Sequence, residues 1–66
     1  MSDLRFVTLA DAVLRERGVC GAELDARRNA LCTSAAARTA REQCKIGASD
    51  RVVTELLRAA ANAANL

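Results

Sequence analysis

Apolar residues return at three- and four-residue steps in two parts of this chain, with polar residues on the opposite side. Between residues 3 and 17, Phe6, Leu9, Ala10, Val13, Leu14 and Arg17 share one side of a helix, and Arg5, Thr8, Asp11, Ala12 and Arg15 share the other. That spacing predicts an amphipathic helix with one buried face. Ser2 or Asp3 suits its N-cap, and Gly18 suits the left-handed residue that closes its end. From residue 49 to about 62, Val52, Val53, Leu56, Leu57 and Ala60 line one face, which Ala63 and Ala64 prolong, opposite Arg51, Thr54, Glu55 and Arg58. Ser49 can cap this helix and Asp50 complements its positive N-terminus. The tail AAANAANL lacks large side chains and is expected to fray after Asn62 unless Leu66 docks.

The middle of the chain, residues 22–46, contains neither glycine nor proline and reads as one long helix. Ala22, Ala26, Ala30, Thr33, Ala37, Ala40 and Cys44 recur at steps of four and three, the spacing of a helix-packing or dimer seam. Small seam residues let two helix axes approach closely, with Leu24, Leu31 and Ile46 beside them as larger contacts. Away from the seam, Arg27, Arg38, Arg41 and Lys45 gather within about 60° of one another on such a helix. This basic stripe is the candidate contact for a partner with an acidic surface. A helix over residues 22–46 would span ~37 Å, whereas its two neighbours would span ~21–23 Å. Either a second chain covers the overhang, or the helix bends. The expected fold is therefore all-α: a single domain over residues 1–66, with helices at about 3–17, 22–46 and 49–62. The long alanine-faced middle helix is expected to be completed by homodimerisation.

Composition sharpens the case for a partner. Hydrophobic residues make up 52% of the 66, but alanine supplies much of that share, with one Phe, no Trp and no Tyr. An alanine methyl buries little area compared with leucine, and chains this short build only marginal cores, so burial across an interface is a common remedy. Ten basic residues, nine of them Arg, against eight acidic ones give a net charge of +2, too mild to argue for nucleic acid on charge alone. No stretch approaches the ~18 apolar residues of a membrane span, and Asp3 precedes any apolar run, unlike a secretory signal. A cytoplasmic protein with no membrane contact is expected.

The chemistry-bearing residues argue against catalysis. Cys20, Cys32 and Cys44 recur twelve apart, without the close Cys pairs or His of a zinc site, and the chain contains no His. They read as small hydrophobes, with Cys20 set apart by its place before a helix N-terminus, where a thiolate is favoured. No nucleophile sits beside a base and no glycine-rich phosphate loop occurs, so no enzyme activity, cofactor or metal is expected.

A second reading comes from AELDARRNALCTSAAARTARE, which resembles the helix-turn-helix pattern of bacterial regulators. In that alignment Ala26 is the small contact residue, Ala30 stands in the turn, Leu31 follows it and Thr33 is the new N-cap. The resemblance implies a break near Cys32 to Ser34, with Arg38, Thr39, Arg41 and Lys45 on or beside a DNA-facing surface. Asp25, Asn29 and Ala36 depart from the pattern where larger apolar residues are usual. CKIGASDRVVTELL offers another register, with Ile46, Gly47, Val53 and Leu56 in suitable places and Glu42 and Gln43 departing from it. The expected function is a small regulatory protein that binds and modulates or inhibits another protein, and the alternative is a DNA-binding regulator.

Overall fold

The computed structural model, which describes residues 4–66, breaks the middle segment at Ser34. Helix α1 runs Leu4–Glu16 and α2 Ala22–Thr33, then a 3-10 turn at Ala35–Ala37 leads directly into α3, Arg38–Lys45, and α4 follows at Asp50–Ala63. The described residues thus form four helices where three were expected. The continuous helix over residues 22–46 is corrected to two. Candidate caps Ser2 and Asp3 lie outside the described residues.

The break has a local cause and a global one. Locally, Ser34 adopts an extended conformation (φ −72°, ψ 151°), its Oγ accepts from the Ala37 amide at 3.2 Å and donates to the Leu31 carbonyl at 2.8 Å. Thr33 Oγ1 donates back to the Asn29 carbonyl at 2.8 Å. Such hydroxyls offer the backbone alternatives to the helix ladder. Globally, a straight helix of about 100° per residue would put Ala37 and Ala40 some 120–180° from Leu24 and Leu31. All four are buried. Only a bent segment brings both sides to one core. The bend also removes the overhang, since a ~37 Å helix exceeds the longest dimension of the molecule, 30 Å.

Three helices end in the same way. After α1, the Val19 amide donates to Leu14 and the Gly18 amide to Arg15; after α3, Ala48 donates to Gln43 and Gly47 to Cys44. Gly18 and Gly47 hold φ near +90°, where a side chain would be strained. After α4 the pattern recurs with Asn65 at φ 60° and Leu66 donating to Ala61. Leu66 packs against the core, and Arg17 Nε donates to its carbonyl at 2.9 Å while Nη1 reaches Asn62 Oδ1 at 2.7 Å. The tail docks instead of fraying.

Helix α4 packs against α1, α3 and the 3-10 turn, and α1 also packs against α2. Phe6, Val13, Leu14, Leu31, Val53 and Leu57 are the largest fully buried side chains. Arg5 joins the start of α1 to the turn between α3 and α4. Its Nε pairs with Asp50 at 2.8 Å, Nη1 donates to the Cys44 carbonyl at 3.3 Å, and Nη2 donates to the Ala48 carbonyl.

The alanine seam is divided by the bend. Ala26, Ala30 and Thr33 lie on exposed positions of α2, Ala37 and Ala40 are buried, and Cys44 is half-buried. Leu24, Leu31 and Ile46, expected beside the seam as larger contacts, stand on the far side of a straight helix from it; in the structure Leu24 and Leu31 belong to this chain's own core, whereas Ile46 is exposed.

Candidate functional site

The cations of this chain fall into two groups. Those of α1, α2 and the body of α4 are held inside the molecule. Arg15 and Arg28 both meet Asp11, at 2.7 and 2.9 Å, and Arg28 also reaches Asp25 at 2.6 Å. Hydrogen bonds from Arg15, then Arg28, hold the Asp11 carboxyl below its ordinary value, against the opposing effect of desolvation. Arg58 bridges Glu16 at 2.9 Å and Glu55 at 2.8 Å. Arg27 stands 3.7 Å from Glu23 one turn earlier.

Helix α3 and the start of α4 use their cations otherwise. Arg38, Lys45 and Arg51 are exposed and make no ion pair among the described residues. Arg38, Arg41 and Lys45 stand at helical steps of three and four, so they share one side of α3. Arg41 is partly buried, with its guanidinium carbon 4.8 Å from the Phe6 ring centroid and Nη2 donating to the Cys32 carbonyl at 2.8 Å. A cation over an aromatic face is attracted by the ring quadrupole, so this arginine is fixed in place. Ile46, 75% exposed, follows Lys45, and Val52 is 44% exposed one residue after Arg51.

Of the basic stripe Arg27, Arg38, Arg41 and Lys45, the structure keeps the last three together on α3. Arg27 stays on α2 beyond the bend, beside its own glutamate. Arg51 was not placed in the stripe by the sequence reading; Glu55 stands four residues on from it but meets Arg58, 2.8 Å away. The bend itself opens a cleft of about 320 Å³ lined by Cys32, Thr33, Ser34, Ala35, Arg38 and Arg41. The helix-turn-helix resemblance marked the break but not the cleft, which exists only because the middle segment is broken.

Among the described residues, no group of three or more His, Cys, Asp or Glu side chains is gathered to hold a metal ion. Cys20 is exposed, whereas Cys32 and Cys44 are half-buried and pack against the core. No helix among these residues is long and apolar enough to cross a membrane. No protein-family model matches the chain, and comparison with curated proteins and with solved structures returned no match.

Proposed function

We propose that this protein is a small non-enzymatic module that binds another protein, one with an acidic contact surface, through α3 and the turn after it, and so modulates or blocks that partner. The observation that supports this is the unequal use of cations. On α1, α2 and the body of α4 they serve internal ion pairs, while on α3 Arg38 and Lys45 are turned to solvent beside exposed Ile46. Complementary charge steers and orients protein association, and an apolar residue beside it supplies contact area. A homodimer is no longer required to cover a helix overhang, so the partner is taken to be a different chain.

A specific observation favours DNA as the second reading. The α3 helix, a turn over residues 46–49 with Gly47 at φ 90°, and Ser49 capping α4 through the Val52 amide at 3.3 Å follow one another as in a helix-turn-helix. The solvent side of α4, however, carries Asp50 and Glu55, and its Arg58 is engaged by two glutamates. Carboxylates there oppose phosphate, which ranks this reading second.

The test is an affinity capture of tagged protein from its host's lysate, with and without nuclease, using the native chain and the double variant R38E/K45E. A stoichiometric protein that survives nuclease and is lost about tenfold or more with the double variant supports the first reading. The variant should leave the thermal melt within about 0.5 kcal/mol of the native chain, as exposed unpaired side chains do. DNA recovered alone, and lost with nuclease, would replace the first reading by the second.

A further inference from the structure

The cleft at the Ser34 bend has a chemistry that narrows what the partner must present. Its hydroxyls are already engaged: Thr33 Oγ1 donates to Asn29, and Ser34 Oγ donates to Leu31 while accepting from Ala37. Among the described residues, no carboxylate lines it. Arg41 forms a fixed wall, held by the Phe6 ring and the Cys32 carbonyl. Arg38 is exposed, without an ion pair among the described residues, and carries a planar fork suited to a two-oxygen group. The remaining wall, from Ala35 and Cys32, is small and apolar.

From this combination we infer that the cleft is the anchoring pocket for one acidic side chain, Asp or Glu, of the protein partner. The inference rests on the protein-binding reading above and specifies it. The carboxylate meets Arg38 with two parallel hydrogen bonds, and its methylene stem lies along Ala35 and Cys32. A free phosphate has no such stem and leaves that wall uncovered. Lys45 and Arg51 then lie outside the pocket and serve orientation, while Arg38 carries recognition.

The test is an amide-resolved NMR titration of the full chain with an oligoglutamate peptide, and in parallel with inorganic phosphate and with a short DNA duplex. The expected result is saturable shifts at the amides of residues 33–38 and at the Arg38 Nε–H. The peptide should bind about fivefold more weakly to R38Q, less so to R38K, and unchanged to R15Q, whose site lies elsewhere. The spectrum of each variant shows directly that it is folded. Peptide shifts confined to residues around Lys45 and Arg51 would overturn the pocket while leaving the protein-binding reading standing. Phosphate binding as tightly as the peptide would overturn the side-chain assignment, and duplex binding more tightly than the peptide would overturn both readings.

Discussion

Helices α2 and α3 come from one unpunctuated stretch of sequence, yet the bend between them gives them different work. Helix α2 sinks Leu24 and Leu31 into the core and closes its charges on Glu23, Asp25 and Asp11. Helix α3 is anchored by a single buried residue of its own, Ala40, with Ala37 just before it, and turns Arg38 and Lys45 outward. A methyl-sized anchor lets α3 lie close along α4, and the bulk of its surface stays available. The difference teaches that the division between structural and displayed residues follows side-chain size and ion pairing, not the run of helix-forming residues.

Three measurements would break or sharpen that contrast. Truncating α2's deepest anchor, Leu31→Ala, should cost about 2–5 kcal/mol in denaturant unfolding, because the fully buried leucine leaves a cavity. A loss under about 1 kcal/mol would mean that α2 is not the structural partner of the pair. Replacing the residue between them, Ser34→Ala, should cost about 1 kcal/mol through the lost cap at Ala37, with no gain in helix content by circular dichroism. A more stable and more helical variant would show that the serine alone imposes the bend. The smallest effect concerns acid. Asp11 has a lowered folded-state value, so its pairing with Arg15 and Arg28 contributes fully above the unfolded carboxylate value, about 3.9, and is lost as pH falls through the lower folded value. The melting temperature of the native chain should therefore change little between neutral pH and about 5 from this source and fall below about 4. Asp11→Asn should remove part of that fall; an identical acid limb in both would free α2 from its supposed ionic tie to α1.

Much of this architecture was legible from periodicity. Phe6, Ala10, Val13 and Leu14 of α1, and Val53, Leu57 and Ala60 of α4, were marked by helical spacing and are buried. Gly18 and Gly47 fall where helices end, as their freedom at positive φ suggests. Periodicity did not show the bend, because alanine fits a helix on either side of it and gives the same signal inside or outside a core. Ala26, Ala30, Ala35 and Ala36 are exposed while Ala37, Ala40, Ala60 and Ala61 are buried. One clue lay in the disagreement between the leucine side and the alanine side of residues 22–46, which a straight helix cannot reconcile. The protein-binding reading expected residues 22–46 to be continuous, and there it is corrected; the helix-turn-helix reading expected a break near Cys32 to Ser34, and the segment breaks at Ser34, which is the cap in place of Thr33. Of the basic stripe, Arg38, Arg41 and Lys45 share α3, with Arg41 turned in over Phe6, and the bend leaves Arg27 behind on α2.

The stacking of Arg41 on Phe6 has a consequence for spectroscopy. Phe6 is the only aromatic residue in the chain, so its ring current is the only one that can displace a proton resonance. The Arg41 side-chain protons above that ring should resonate upfield of their usual positions, with no second ring to confuse the assignment. A molecule dark at 280 nm thus carries a single magnetic label, placed where α1 meets the wall of the cleft, and movement of α3 against α1 can be followed without attaching anything to the protein.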